Sequence, residues 1–274
     1  MCKIGLSSCA FELTEENFKK LNESGIEAIE VSVSLSRQST INHKELSVFS
    51  KRYNIDLWSY HLPFMPFQEI DISSADSAIR TKTIEFFTQL IKKAADVGIQ
   101  NFVIHPSGEP IPDQMRDQRL KCAMESLDKL AEVAYKENAV IAVEDLPRTC
   151  LGNTADEMLK LISANEKLRV CFDSNHLLKD NNLNFIEKIA EKIVTVHISD
   201  YDFIDEKHWL PGEGLVNWNE VYSMLKKVGY SGAWLYEIGL KSPKTLPRSR
   251  DLTFDDFVRN AHDIFTNTPI KRII

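Results

Sequence analysis

The sequence predicts an α/β fold, a single (β/α)8 barrel that spans residues 1–274. Three observations predict this fold class. The length is close to the roughly 250 residues typical of such barrels. Short apolar runs alternate with longer segments of helical period from end to end, which is the pattern of parallel βα units. No linker, low-complexity tract or change in composition divides the chain, so one domain is expected.

Each strand is predicted from a short run rich in β-branched and other apolar residues. The runs AVIAV at 139–143 and FVI at 102–104 are apolar at every position. Strands buried on both faces have this composition, as in a barrel whose outside is covered by helices. In chain order, the predicted strands are 3–8, 27–33, 56–60, 101–104, 139–143, 169–172, 193–196 and 233–236.

The segments between the strands are predicted to be the outer helices, because their apolar residues recur three and four positions apart. Three of these helices are predicted at 114–138, 155–163 and 218–228. Capping residues indicate where helices begin, and glycines indicate where they end. The start signals are Thr14, Asp113, Thr154 and Asn217, and the stop signals are Gly25, Gly98 and Gly229.

Composition and charge exclude several classes of function. With 33 Lys and Arg against 40 Asp and Glu, the net charge of −7 offers no positive field for nucleic acid or an anionic membrane. The five cysteines include no C-x-x-C pair, which argues against a disulfide framework or a zinc-thiolate site. No apolar run is long enough to span a bilayer, and no signal peptide precedes the first strand. A cytoplasmic protein that binds a small polar molecule is expected.

Six of the predicted strands end at a residue of a metal-ligand type. The carboxyl ends of barrel strands converge on one face, so these residues are expected to be neighbours in the fold. One alone would be interpreted as a solvated loop residue, but several carboxylates and imidazoles together need a cation to balance their charge. An oxygen-rich set of this kind suits Mn²⁺, Mg²⁺ or a similar divalent ion. The six residues are His61, His105, Glu144, Asp173, His197 and Glu237.

Further polar residues are candidates for substrate binding, together with the histidines that end the third and fourth strands. His176 reaches the same pocket if a helical turn follows the sixth strand. His208 and Trp209 lie in the long seventh loop, and loops of this length on the active face usually have a function. Arg148, in the loop after the fifth strand, either binds substrate oxygens or pairs with Asp145.

The chain resembles the xylose isomerase-like TIM barrels, the sugar phosphate isomerase/epimerase group, in the motifs CFDSNH, VHISD, HWLPGEG and YE. The resemblance spans essentially the whole chain and implies one divalent metal ion, Mn²⁺, Mg²⁺, Co²⁺ or Zn²⁺, held by Glu144, Asp173, His197 and Glu237. In the ketose 3-epimerases of this group, the two corresponding glutamates also exchange the proton on the two faces of the substrate. A metal that chelates a carbonyl and its neighbouring hydroxyl acidifies the C–H between them and stabilises the enediolate. The resemblance therefore implies a metal-dependent isomerase or epimerase of a ketose or polyol.

Other functions stay open within the same superfamily. Type IV apurinic endonucleases hold three zinc ions, and their additional histidines would correspond to His61, His105, His176 and His208. Glu206 departs from that pattern, which has an aspartate there, and the mouth loops are acidic or neutral, so no nucleic acid partner is expected. Lyases that dehydrate inososes or dehydroshikimate use a similar enolate. A sugar-binding barrel without turnover would not need a glutamate on each side of the substrate.

Two expectations concern the pocket and its surroundings. The loops after the seventh and eighth strands contain no Gly-rich phosphate cradle or paired basic residues, which favours an unphosphorylated substrate. The apolar stretch at 63–67 is expected to be a pocket wall, a lid or a contact in a homo-oligomer.

Overall fold

The computed structural model describes residues 2–273 and is a barrel of eight parallel strands that alternate with eight α-helices, which confirms the predicted fold class. The strands are β1 (Ile4–Ser7), β2 (Ala28–Ser32), β3 (Asp56–His61), β4 (Asn101–Ile104), β5 (Val140–Glu144), β6 (Arg169–Asp173), β7 (Ile193–His197) and β8 (Trp234–Tyr236). The helices are α1 (Glu15–Ser24), α2 (His43–Tyr53), α3 (Ser77–Ala95), α4 (Arg116–Lys136), α5 (Ala155–Ile162), α6 (Asn182–Ile189), α7 (Trp218–Lys227) and α8 (Phe254–Phe265).

The strands form one sheet in the order β7-β6-β5-β4-β3-β2-β1-β8. The sheet closes where β7 meets β8, through a parallel bridge between Ile198 and Tyr236. At this seam the Ile198 N–H donates to the Leu235 carbonyl at 2.8 Å. Because every pair of neighbouring strands is parallel, the carboxyl ends of all eight strands lie on one rim.

All eight predicted strands are present, and four of them continue one residue beyond the predicted end. The added residues are His61, Glu144, Asp173 and His197, which close β3, β5, β6 and β7. These candidate ligands are therefore part of the hydrogen-bonded sheet and share its rigidity. The two other candidates, His105 and Glu237, come directly after β4 and β8.

The helix signals are confirmed with one exception. The Thr14 and Thr154 side chains accept from the backbone N–H three residues later, and so does Asn217. Asp113 does not cap α4: it begins a 3-10 turn, Asp113–Met115, and the α-helix starts only at Arg116. The chain enters this tighter turn after Pro112, where no side chain caps the helix. Within residues 2–273, no helix has the length and apolar character needed to cross a membrane.

The barrel interior is filled by side chains that meet from opposite strands. The indole N–H of Trp58 on β3 donates to Thr195 Oγ1 on β7 at 3.1 Å. Ala28 and Leu235 pack beside this pair and are fully buried. The barrel is therefore a packed core, and an open site is available only at its rim.

Candidate functional site

Four strand ends bring three carboxylates and one imidazole to a common point, and these residues are called the cation cluster: Glu144, Asp173, His197 and Glu237. One ligand atom from each lies within 4.8 Å of the others. The Nδ1 atom of His197 lies 3.0 Å from Glu144 Oε1, 3.5 Å from Glu237 Oε2 and 3.7 Å from Asp173 Oδ2. The three strand residues are fully buried, and Glu237 is the one that reaches towards solvent.

The cation cluster fits a divalent metal ion. Among residues 2–273, the buried oxygen Oδ2 of Asp173 has no hydrogen-bond partner, although it points at the other ligand atoms. Three carboxylates gathered out of water repel one another unless positive charge lies between them. Carboxylate oxygens with one imidazole nitrogen form a donor set that Mn²⁺ and related ions accept. The four residues predicted to bind one cation therefore lie close enough together to do so, and metal binding by them stays a prediction.

Burial and neighbouring charges shift the pKa values of the cation cluster in different directions. Burial raises the pKa of Asp173 to about 6. Burial opposes charge on His197, but the carboxylates of Glu30, Glu237 and Glu144 outweigh it and hold the pKa of the imidazole well above its usual value. Burial likewise opposes ionisation of Glu144, yet the neighbouring histidines hold its pKa well below the usual value. A cation would replace these protons, because metal ligands must be deprotonated.

Two more of the predicted histidines lie against the second oxygen of Glu144. The Nε2 atoms of His61 and His105 are each 3.1 Å from Glu144 Oε2. The ring of Phe64 stacks on His105 at 4.1 Å between centroids. His105 lines the pocket described below, whereas His61 is buried beneath it and contacts Glu144 instead. His61 is therefore not a lining residue of the pocket; with Glu144 and His197 it forms a further group of possible metal ligands, whose ligand atoms lie within 4.8 Å of one another.

A second group of possible metal ligands lies nearer the mouth and consists of His176, Glu206 and His208. Their ligand atoms also lie within 4.8 Å of one another. His176 Nδ1 donates to the Asp145 carbonyl at 2.8 Å, and His208 Nδ1 donates to the Glu237 carbonyl at 3.1 Å. Each Nε2 atom is therefore left free to face a ligand. The prediction that both histidines face the common pocket agrees with this placement, although a turn, and not a helix, carries His176.

These groups open onto a pocket of about 360 Å³ at the rim of the barrel. Its size is within the range of small-molecule sites. Phe64, Met65 and Phe67 form an apolar wall, so the stretch predicted as a wall, lid or contact lines the pocket. Glu144, Glu237 and three of the predicted histidines line the same pocket. The pocket therefore combines an apolar surface with several hydrogen-bonding groups.

Arg148 lines the pocket, but its charge is already neutralised. The guanidinium binds both oxygens of Glu109, at 2.5 and 3.0 Å, and Asp205 Oδ1 at 2.8 Å. Glu206 lies 3.4 Å away. The suggested pair with Asp145 does not form, because Asp145 Oδ1 accepts from the backbone of Asp173 at 2.7 Å. Arg148 therefore ties three loops together and is not a free cation.

Trp209, like His61, is a predicted substrate-binding residue that does not line the pocket. Its side chain is buried, and its indole N–H donates to Thr245 Oγ1 at 3.0 Å. Two backbone hydrogen bonds to Asp200 hold the residue in a short antiparallel bridge. This pairing turns the indole away from the substrate side, which corrects the expected substrate contact.

Glu30 is a polar residue of the site that was not predicted. Glu30, in the middle of β2, is fully buried and accepts from His197 Nε2 at 3.0 Å and from Ser59 Oγ at 2.9 Å. A sequence signal was available, because Glu30 is a charged residue in the middle of the predicted strand 27–33, with apolar neighbours on both sides. An inward charge in such a strand requires a partner inside the barrel.

Comparison with known proteins finds similar sequences and similar folds. The sequence model of the family described as xylose isomerase-like TIM barrel matches residues 18–253. An uncharacterised protein of Methanocaldococcus jannaschii is 27% identical and aligns with 84% of this chain and 81% of its own. An L-ribulose-5-phosphate 3-epimerase of Salmonella heidelberg is 25% identical, over 79% of this chain and 78% of its own.

Solved structures share the fold. A D-tagatose 3-epimerase-like protein superimposes with a TM-score of 0.80 at 24% identity and covers 96% of each chain. A D-psicose 3-epimerase determined in the presence of D-fructose gives a TM-score of 0.77 at 20% identity, over 96% of this chain and 98% of its own. The barrel described above is therefore matched along nearly its whole length.

Proposed function

Because the chain belongs to the xylose isomerase-like TIM barrel family, we propose that it is a metal-dependent epimerase or isomerase of a ketose or related polyol. One observation carries this proposal. Of the four residues of the cation cluster, Glu144 and Glu237 also line the pocket. The same two carboxylates are thus within reach of a cation and of a substrate. The similarity to sugar 3-epimerases supports the same reading.

The chemistry follows from the position of the two glutamates. A divalent cation held by the cation cluster would polarise a substrate carbonyl and its neighbouring hydroxyl, which makes the C–H between them acidic. One glutamate removes this proton, and the other returns a proton from its own side of the substrate. Return to the opposite face of the same carbon inverts it, whereas return to the neighbouring carbon interconverts aldose and ketose. Asp173 and His197 do not line the pocket, so their role is to hold the cation.

The other polar groups of the pocket suit a polyhydroxylated substrate. Nδ1 of His176 and Nδ1 of His208 each donate to a backbone carbonyl, which leaves Nε2 of both rings available for a hydrogen bond with a substrate hydroxyl group. His105 adds a third imidazole to the lining of the pocket. The wall of Phe64, Met65 and Phe67 offers a surface for the C–H face of a sugar. The arrangement fixes the substrate between a polar and an apolar surface, which restricts its orientation.

The charge of the pocket favours a substrate without a phosphate group. Four of its lining residues are glutamates, at 109, 144, 206 and 237, and Arg148 is the one Lys or Arg among the lining residues of the described chain. The charge of Arg148 is matched by Glu109 and Asp205. A phosphate dianion would therefore meet an excess of negative charge. An uncharged ketose meets no such repulsion.

The charge argument has a direct test in Glu109→Gln, which releases one partner of Arg148. We expect this variant to bind a ketose phosphate about tenfold more tightly, because one charge-assisted hydrogen bond is worth roughly 1.5 kcal/mol or more. Its affinity for the free ketose should change little. Glu23→Gln makes the same substitution on an exposed face of α1 and should leave both affinities unchanged. An unaltered preference in Glu109→Gln would contradict the role given to this ion pair.

The proposed activity is tested with Mn²⁺-loaded protein, a panel of unphosphorylated ketoses and D₂O. A proton carried by a carboxylate exchanges with solvent, so deuterium should enter the product at the inverted or newly formed centre. Glu23→Gln changes a glutamate on the exposed face of α1, which does not line the pocket, and should retain turnover. Product without label would favour internal hydride transfer, and loss of water from the substrate would assign a lyase. Absence of turnover across the panel would overturn the proposal.

A second candidate function is a hydrolase with several metal ions, similar to the type IV apurinic endonucleases. The observation in its favour is the group formed by His176, Glu206 and His208. This group of possible metal ligands shares no residue with the cation cluster. The acidic pocket lining opposes it, because a DNA substrate brings further negative charge. Metal analysis separates the two functions. One ion per chain supports the epimerase or isomerase, whereas three ions together with cleavage of abasic DNA would support the hydrolase.

A further inference from the structure

We propose that Glu30 is a positioning residue that holds the His197 imidazole with Nε2 protonated, so that Nδ1 presents its lone pair to the cation. This inference rests on the proposed function, since it assumes that the cation cluster binds a metal. It concerns a residue that contacts neither the pocket nor the other members of that cluster. Glu30 acts through His197 alone.

The two nitrogens of the His197 ring face two different environments. Nε2 lies 3.0 Å from Glu30 Oε2, on the β2 side of the barrel interior. Nδ1 lies 3.0 to 3.7 Å from the carboxylates of the cation cluster. A neutral imidazole carries one proton, so the nitrogen that donates to Glu30 leaves the other free as a ligand. The geometry therefore selects Nδ1 as the metal-binding atom.

The ring is also held in its plane. The imidazole of His61 lies almost parallel to that of His197, with 5.7 Å between centroids and 14° between planes. The position of Glu30 is fixed in turn by Ser59, whose hydroxyl donates to the same oxygen at 2.9 Å. A buried imidazole with a fixed carboxylate behind it is the arrangement that orients metal-binding histidines in general.

The burial of Glu30 costs free energy, and packing alone would not require a glutamate at this position. The residue is fully buried, and within the described part of the chain its Oε1 atom has no hydrogen-bond partner. A leucine would fill the same place between strands without a polar atom to satisfy. A leucine would lose the hydrogen bonds from Ser59 and from His197, and the bond from His197 is the one that acts on the cation cluster. Without it, the ring can carry its proton on Nδ1, and that proton blocks the cation.

The test compares Mn²⁺ affinity in Glu30→Leu and Glu30→Gln by calorimetry on metal-free protein. Glu30→Leu removes the acceptor, and the dissociation constant should rise about 10- to 100-fold, the usual effect of losing such a partner. Glu30→Gln retains a carbonyl acceptor and should stay within about threefold of the wild type. Thr195→Val is the matched control, because it removes another buried hydrogen bond inside the barrel, from Trp58, on the same strand as His197. It should lower thermal stability and leave Mn²⁺ affinity unchanged.

A spectroscopic measurement keeps the inference testable if Glu30→Leu does not fold. In the Zn²⁺-loaded wild type, proton NMR of the ring N–H groups should show a slowly exchanging proton on Nε2 of His197. In Glu30→Gln this resonance should move upfield, because an amide attracts the proton less than a carboxylate does. A purely structural role would leave the resonance in place.

The possible outcomes separate this inference from the proposed function. If the wild type takes up no Mn²⁺, the metal site itself fails. If the wild type binds Mn²⁺ and Glu30→Leu binds it equally well, or if Nε2 carries no proton in the Zn²⁺-loaded protein, then the inference about Glu30 alone is overturned.

Discussion

Metal binding to the cation cluster should depend steeply on pH, because the cation must displace protons. In the metal-free protein, the pKa of His197 is held well above its usual value and that of Asp173 is raised to about 6. The metal-bound state has both groups deprotonated. The metal-free state gains a proton as the pH falls through each pKa, so the affinity for the cation must fall with pH.

The size of the effect follows from the number of protons displaced. While His197 is protonated and Asp173 is ionised, one proton leaves for each cation bound, and the affinity changes tenfold per pH unit. From pH 8 to pH 6 this amounts to about 100-fold, or about 2.7 kcal/mol. Below about pH 6, where Asp173 also holds a proton, the slope should approach 100-fold per unit. The carboxylates near His61 and His176 overcome the effect of burial and raise the pKa of each ring to about 9, so any proton that the cation displaces from these rings adds to the slope.

The assay is calorimetric titration of Mn²⁺ into metal-free protein between pH 5.5 and pH 8, in two buffers of different ionisation enthalpy. The difference between buffers counts the protons released at each pH. Asp173→Asn is the control, since it cannot titrate and should retain only the step that belongs to His197. An affinity that stays constant between pH 6 and pH 8 would refute the assignment of His197 as a metal ligand that exchanges a proton for the cation.

The remaining predictions concern turnover, metal removal and stability. Glu144→Gln and Glu237→Gln should each reduce ketose turnover by roughly 100- to 10,000-fold. Both variants should still bind Mn²⁺, because the amide keeps an oxygen near the cation. Turnover equal to that of the wild type would exclude these glutamates as proton carriers. Free Mn²⁺ at about 100 times its dissociation constant should raise the free energy of unfolding by about 2.7 kcal/mol. Urea unfolding with Mn²⁺ and with a chelator measures this difference. Glu213→Ala should cost about 3 to 5 kcal/mol in the same assay, since it leaves the buried guanidinium of Arg248 unpaired. Glu213→Gln should cost less, because it keeps an acceptor at that position.

The barrel and the position of the cation cluster could be predicted from the sequence for one physical reason. Strands covered on both sides must be apolar, so a strand such as 140–144 is visible as a continuous run that stops at its first charged residue. In a parallel barrel, the point where each run stops lies on the same rim. Residues as distant in sequence as Glu144 and Glu237 become predictable neighbours without any knowledge of the loops.

The side-chain contacts of the loops and of the barrel interior could not be predicted in the same way. The ion pairs of Arg148 join it to Glu109 and Asp205, which are 39 and 57 residues away on other loops whose paths have no periodic signal. Trp209 was expected in the pocket because of its loop, but its backbone pairing with a neighbouring segment decides its direction. Glu30 lies inside a strand and not at its end, so attention to strand ends alone misses it.

The site consists of residues on strands and residues on loops, and different interactions hold these two groups in place. Glu30, His197 and Asp173 lie on hydrogen-bonded strands, where each side chain has one direction and solvent does not enter. Glu109, Arg148 and Asp205 lie on loops that are joined by ion pairs near the surface. Changes in the loops can therefore alter which substrate fits while the cation keeps its ligands. If the proposed function holds, this separation gives a physical reason why such a fold supports several reactions: residues at or directly after the strand ends would hold the metal and the acid-base pair, and the loops would decide how a substrate is presented to them.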